Sequence, residues 1–473
     1  MPCRDLGMDH GEWILRIRGL GIWYREVYDL LGADYMADND YSKGASEIQT
    51  SEVKIVGDKV GKHYDGIVKW SGVFSQMEYS NGMLSAFLNI TASNSAYKRI
   101  DYFKQMDLVL DDITYYEALG TSVSTEYEFV PDINGNDSLI GAIKSMVEDT
   151  IWHNGKAYTI NSSEAEFASS DWKWIRGYTI KTGANLNLDE YNNVFFNVGY
   201  ITKAPRFNNV YERYSNALLL DINNEKVKAI EGGYSYRSSL FSANVNGYYT
   251  VWKNKPVNTA IKLENDDGDV TYANINGMDA LHKGVEMDFS FKINHQLSIE
   301  GLLSLGDWKW TSANKVWFYD ENNQPLLEEG EHAFREFDAN GVHVGDAAQT
   351  QYGLSVRYEP THNSYFKLRG TLFENYYADF DPLSLNGENA RRESWKIPSY
   401  QLLDLHAGYK FKLSEKNKLD IRLSILNLLD EVYISDAQNN DPYNANFRDF
   451  DAKSAGVFFG LGRRVNLSAK FTF

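Results

Sequence analysis

The chain has 473 residues, of which 14% are aromatic (32 Tyr, 24 Phe, 11 Trp), only 9 are Pro, and the formal net charge is −18. That charge excludes a nucleic-acid partner, which needs a basic face to displace counterions from phosphate. A hydrophobic share of 43% against 24% charged excludes disorder, and a single cysteine, Cys3, excludes an intrachain disulfide.

No run of 18 apolar residues occurs, so no α-helix in this chain spans a bilayer. A membrane protein without such a helix has to be a closed β-barrel, the only other fold that pairs every backbone group inside lipid. Met1–His10 (MPCRDLGMDH) has no apolar stretch and no small-residue cleavage site, so it is not a signal peptide. Read literally, such a start keeps the chain in the cytoplasm; otherwise the true start is missing. Residues 1–11 therefore form a poorly defined start, with a non-native or out-of-frame origin left open, and 12–473 form one body.

Taken in chain order, the dominant signal is alternation with period two. A first strand is expected near Glu12–Arg18 and the others from His63 onward, about 14 in all. Trp172 and Trp174 precede a strand whose even face holds Tyr178, Ile180, Ala184, Leu186 and Leu188, and rings placed there suit a headgroup-level girdle. Val194, Phe196, Val198 and Tyr200 give the next apolar row, and Phe241, Ala243, Val245, Gly247, Tyr249 and Val251 another. Gly284–Ile293 alternates most cleanly, with Val285, Met287, Phe289, Phe291 and Ile293 opposite Glu286, Asp288, Ser290 and Lys292. Trp308 and Trp310 share the parity of Ser298 and Glu300, so they face the polar side unless Gly306 marks a bulge. Leu403–Leu413 and Leu419–Ile425 repeat the pattern. Val465, Leu467, Ala469, Phe471 and Phe473 close the chain with an apolar row.

Strand length decides between a soluble and a membrane protein. Each row runs for roughly nine to eleven residues, as a tilted strand crossing the hydrocarbon core must; soluble strands average about half that. Connections also sort by length. Leu188–Tyr191, Arg237–Leu240, Ile293–Gln296, Pro360–Asn363 and Ser414–Asn417 are tight, whereas Lys104–Asp171, Lys203–Asn224, Trp310–Gly345, Asp379–Ser399 and Ser435–Ser454 are long. Outer-membrane barrels have this one-sided arrangement. The fold expected is all-β: an antiparallel up-and-down transmembrane β-barrel segment.

Catalytic and metal sites are not expected. The nine His contain no HExxH pair, and no Gly-x-Ser-x-Gly elbow occurs. Asn265–Asp269 (NDDGD) lacks the glycine and glutamate that a calcium loop needs. Gly460 and Gly462 in FGLGRR lack the third glycine of a dinucleotide site. Glu286, Asp288 and Asp404 are spaced along polar faces, where contact with water or a lodged domain is expected rather than acid–base work. The loop clusters Tyr115–Tyr116, Trp317–Tyr319 and Tyr376–Phe380 could meet a ligand or fold over one another; the ligand-binding residues stay unknown.

Several segments resemble the TonB-dependent receptors. Tyr191–Val210 (YNNVFFNVGYITKAPRFNNV) is similar to a barrel strand ending in Gly-Tyr and an Ala-Pro-Xaa-Phe turn. Glu225–Tyr236 (EKVKAIEGGYSY), His282–Phe289 (HKGVEMDF), Pro398–Phe411 (PSYQLLDLHAGYKF) and Ile421–Ile434 (IRLSILNLLDEVYI) follow in the family's order. Val465–Phe473 resembles its C-terminal assembly signal, with Val465, Leu467, Ala469, Phe471 and Phe473 as the recognised row. The resemblance implies a cell outer-membrane receptor, not an enzyme, that takes up a siderophore, cobalamin, glycan or similar ligand. It implies no resident cofactor, contact with outer-membrane lipid and the barrel-assembly machinery, and TonB–ExbB–ExbD as partner where a plug is present. Signal peptide, TonB box and plug are not found, and Gly11–Asp34 already reads as mid-barrel sequence with Tyr24–Gly32 as a loop. A 14-strand piece has unpaired edges unless it re-closes, which implies that this polypeptide alone transports nothing. Two rival readings are a non-TonB porin or adhesin barrel and a soluble glycan-binding β-protein.

Overall fold

The computed structural model describes residues 63–131, 137–211, 215–219, 222–255, 260–264, 270–274, 277–318, 326–328, 331–414, 416–439 and 450–473. The strand expected at Glu12–Arg18 and the acidic loop Asn265–Asp269 lie outside these residues.

A single large antiparallel sheet dominates. It contains 15 strands, two of which (Phe167–Ser169 and Lys396–Ile397) pair off the main path, leaving 13 in sequence order. These are β1 Tyr64–Ser80, β2 Leu84–Gln105, β3 Lys173–Asn187, β4 Asn192–Lys203, β5 Glu225–Arg237, β6 Phe241–Lys255 and β7 Met278–Lys292. The path continues with β8 Leu297–Trp310, β9 Ala348–Thr361, β10 Ser364–Tyr377, β11 Tyr400–Lys412, β12 Lys418–Leu426 and β13 Arg464–Thr472. Thirteen is the number expected from His63 onward. Among the described residues the helical content is three short 3-10 turns, and no helix is long and apolar enough to cross a membrane.

Neighbours along the sheet are neighbours along the chain, so each connection is a simple reversal. Short and long connections alternate strictly. Residues 81–83, 188–191, 238–240, 293–296, 362–363 and 413–417 form the short ones; 106–172, 204–224, 256–277, 311–347, 378–399 and 427–463 form the long ones. All tight turns therefore lie at one end of the sheet and all long loops at the other. Asp189 illustrates a tight turn: its carboxylate accepts the Tyr191 and Asn192 amides at 2.7 and 2.8 Å, and this local closure pins the β3–β4 register.

Toward the turn end, register keeps the two faces chemically distinct from β6 to β12. Ile425–Leu405–Leu368–Val356–Ile299–Phe291–Phe241 runs across seven strands as directly opposed partners, every one apolar. One residue away on each strand the other face begins, because a one-residue step reverses the side-chain direction. The apolar face is uncovered: Phe196 and Leu354 are both 54% exposed and Leu467 73%. In water such a surface would aggregate. At the turn end this face carries a ring of aromatics, Tyr236, Phe241, Phe291, Tyr358, Phe366, Tyr409, Phe411 and Phe471. At the loop end it carries Trp174, with Tyr178 and Tyr200 stacked at 5.6 Å.

The compact hydrophobic core lies at the loop end, among the long connections. Met278, Ala280 and Trp310 at the strand tops pack with Val316, Phe318, Phe337, Val342, Phe380, Leu385 and Phe450 from three different loops. Within the described residues β1 and β13 form the two edges of the sheet.

Candidate functional site

The polar face is built from the strand positions that alternate with the apolar rows. Glu231, Glu286, Asp288 and Glu300 lie on β5, β7 and β8; Arg357, Lys367, Arg369, Asp404, Lys410 and Arg422 lie on β9 to β12. Many of these groups are matched across strands. Lys367 Nζ donates to Glu300 Oε2 at 2.6 Å, and Ser355 Oγ donates to the same oxygen at 3.0 Å. Arg369 Nη2 donates to Asp404 Oδ2 at 2.6 Å, and Asn244 Nδ2 to Asp288 Oδ2 at 2.9 Å. The expectation that Glu286, Asp288 and Asp404 share the polar face holds. Asp404, however, meets an arginine rather than water alone.

Trp308 and Trp310 also belong to this face. No register shift interrupts the β7–β8 pairing, in which Trp308 opposes His282 and Trp310 opposes Ala280, so Gly306 is not a bulge. The Trp308 indole stacks on His282 at 5.3 Å and donates Nε1–H to the Tyr248 hydroxyl at 2.8 Å. Lys255 Nζ lies 5.3 Å from the Trp310 ring centre. Toward the turn end, the polar face between β3 and β6 leaves an open hollow of about 900 Å³ lined by Asn187, Asn193, Ser235, Arg237 and Asn244.

Three long loops converge over the top of the sheet. His343 donates its backbone amide to Glu393 Oε1 at 3.0 Å, its ring Nδ1 lies 2.6 Å from Oε2, and the ring stacks on Tyr377 at 4.2 Å. Residues 379–380 pair with 438–439, which draws Asp379 into a half-buried position among other acids. Burial, reinforced by the charges of Asp346 and Asp436 and partly opposed by Lys255, pushes the Asp379 carboxyl up to about 6. Burial and the Asp436 charge also raise Asp346 above the usual carboxylate range. Of the aromatic loop clusters, Tyr376 and Phe380 are buried, and the Tyr376 hydroxyl donates to the Ser435 carbonyl at 2.8 Å. Trp317 and Tyr116 are exposed, while Tyr319 lies outside the described residues. No group of three or more metal-ligating side chains occurs among the described residues.

The C-terminal row is placed consistently with its sequence pattern. Val465, Leu467, Ala469 and Phe471 oppose Ile425, Leu423, Ile421 and Leu419, which puts all of them on the apolar face of the edge strand β13.

The family model for the TonB-dependent receptor-like β-barrel matches residues 149–428, more than half of the chain. The chain belongs to the TonB-dependent receptors. This is a family of outer-membrane receptors rather than enzymes, and in its barrels an apolar exterior surrounds a polar interior. Solved structures to which the chain is similar include the copper transporter OprC, 12% identical, with a TM-score of 0.48 over 86% of this chain and 48% of that one. The ferric-catecholate import receptor Fiu from E. coli K12 is 13% identical, with a TM-score of 0.44 over 92% and 59%. The ferric yersiniabactin uptake receptor FyuA from Yersinia pestis is 14% identical, with a TM-score of 0.44 over 86% and 55%. The chain thus spans about half the length of these proteins. No curated protein sequence matches it.

The interior cations Arg357, Lys367 and Arg369 were missed by sequence reasoning. Their signal was present in Ser355–Arg357 and Lys367–Arg369, where each alternates with Val356 or Leu368.

Proposed function

We propose that this chain forms barrel wall of a cell outer-membrane receptor for energy-coupled, TonB-dependent uptake of a ligand such as a siderophore, cobalamin or glycan. The supporting observation is the separation of the two faces below the loop end: apolar partners oppose apolar partners across neighbouring strands while charged groups pair on the opposite side. A surface of that kind is stable against lipid tails and unstable against water. In this reading residues 12–473 act as one barrel body. Val465, Leu467, Ala469, Phe471 and Phe473 present the edge that the barrel-assembly machinery receives. Energy coupling through TonB, ExbB and ExbD operates on a plug inside the barrel, and the ligand meets the long loops and the interior aromatics.

Expression behind an export leader tests the membrane assignment. The folded chain should partition with outer membranes, resist carbonate extraction, dissolve in detergent, and migrate faster on gels before boiling than after. Release into a carbonate wash would overturn it.

A further inference from the structure

Several exterior cations near the loop end have a carboxylate beside them. Lys253 Nζ lies 2.6 Å from Asp279, and Lys283 and Lys309 lie 3.2 and 3.0 Å from Asp307. One group differs. Arg176 on β3 and Lys226 and Lys228 on β5 share the exterior face, and none of the three has a carboxylate partner among the described residues. Lys226 is placed directly opposite Lys253 across the β5–β6 pairing. Asp279 neutralises Lys253, which leaves Arg176, Lys226 and Lys228 as the charges that an anion would balance.

The surroundings of the group define what that anion is. Strands are about 4.8 Å apart and residues about 3.3 Å along a strand; Lys226 is level with Tyr178 across β4, so Arg176, two strands over and two residues along, lies on the order of 12 Å from it. The stacked rings of Tyr178 and Tyr200 fill the gap, and Lys228 Nζ lies 5.9 Å from the Tyr200 ring centre. Lys228 is level with Tyr200 and Ile180, and the next exterior row toward the turns is apolar, with Val198 opposite Ile230. Tyrosines and long basic side chains directly above a hydrocarbon-facing band belong to the headgroup level of a bilayer.

We propose that Arg176, Lys226 and Lys228, with Tyr178 and Tyr200, form a binding site for the phosphate of a lipid headgroup in the leaflet on the long-loop side. The cations supply charge-assisted hydrogen bonds to phosphate oxygens, and the paired rings support the adjoining part of the headgroup. The inference rests on the membrane reading above, because only a lipid-facing exterior brings headgroups to this height. A soluble phosphate has no comparable reason to settle here, since its binding would not use the apolar band below the cations.

The test uses the full chain folded in a neutral detergent and offers two probes, bis-phosphorylated lipid A and the same glycolipid stripped of phosphate. Native mass spectrometry reads which lipid stays bound. The chain should retain the phosphorylated form selectively. The triple variant Arg176→Gln, Lys226→Gln, Lys228→Gln should weaken retention roughly a hundredfold, at about a fivefold loss per cation near a charged lipid surface. The charge-preserving variant Arg176→Lys, Lys226→Arg, Lys228→Arg should retain the lipid, as should Lys253→Gln, whose cation is already neutralised. Equal retention of both lipids, unchanged retention by the neutral triple variant, or displacement by millimolar inorganic phosphate overturns the site. Flotation of the same chain with pure phosphatidylcholine vesicles is read separately. A chain that floats but shows no phosphate selectivity loses only the lipid site. A chain that does not float loses the membrane reading, and the lipid site with it.

Discussion

Arg369 and Asp404 face one another across β10 and β11 with guanidinium and carboxylate 2.6 Å apart, and the other Asp404 oxygen accepts the backbone amide of Asn427 at 2.9 Å. Asn427 holds a positive φ of 52° at the end of β12 and donates its side-chain amide to the Glu431 carbonyl at 2.9 Å. One interior ion pair thus supports the start of the last long loop. Arg369→Ala leaves the Asp404 carboxylate, whose side chain is only 11% exposed, with a single donor. We expect a loss of about 1–3 kcal/mol, read as a lower temperature for the shift between folded and unfolded mobility on gels. Asp404→Asn, which still accepts from Asn427, should cost less than Asp404→Ala. Equal losses for the two would show that the carboxyl does not anchor the loop.

Gly460 is required by close packing. A Cβ at this position would lie 1.9 Å from the Tyr433 ring, and Tyr433 stacks on Tyr400, which stacks on Phe373, at 4.5 and 4.8 Å. Gly460 also donates its amide to the Tyr433 carbonyl at 2.8 Å. Gly460→Ala should destabilise the loop end of β11–β13 by about 1–3 kcal/mol through overpacking. The double variant Gly460→Ala, Tyr433→Leu should recover part of that loss. If the second substitution recovers nothing in thermal unfolding, the clash is not the cause.

Alternation along Val285–Ile293 or Leu403–Leu413 made the exterior legible, because a two-residue period survives any choice of partner strand. Trp308 and Trp310 were legible only up to a bulge at Gly306, and the unbroken pairing with His282 and Ala280 removed that alternative. Glu300 and Lys367 illustrate what was not legible: they are 67 residues apart, and their contact exists only once β8, β9 and β10 are in register. The loop-end acids escaped for a similar reason. Asp346, Asp379 and Asp436 come from three separate connections, and nothing local to any of them signals the other two.

Asp379 makes the loop assembly sensitive to pH. Its carboxyl titrates near 6 in the folded chain against an ordinary value near 3.8, so the folded state binds the proton more tightly than the unfolded one. Stability from this group is therefore greatest below about pH 4, declines as pH rises through about 6, and is flat above that. The full span is on the order of 2–3 kcal/mol. Asp379→Asn keeps the shape without the charge and should flatten the decline between pH 4 and pH 7. Protease protection of the loops, followed across that range, reads the effect. An unchanged slope in the variant would assign the dependence to another group.

Leu423 and Ser424 are adjacent on β12 and face opposite ways, which allows the central physical claim to be tested on a single strand. Leu423 opposes Ala407 on one side and Leu467 on the other, all on the exterior, whereas Ser424 opposes His406 and Asn466 on the interior. An arginine on the exterior near mid-depth must leave water for hydrocarbon, at about 2–4 kcal/mol. The same side chain in a hydrated lumen keeps its solvation. Leu423→Arg should therefore destabilise the folded chain in lipid vesicles by that amount, and Ser424→Arg by well under half of it. In a soluble protein the order would differ, because an exposed leucine replaced by arginine costs almost nothing in water. Denaturant titration of both variants in phosphatidylcholine vesicles measures the difference directly. A smaller penalty at 423 than at 424 would mean that the apolar rows do not face lipid.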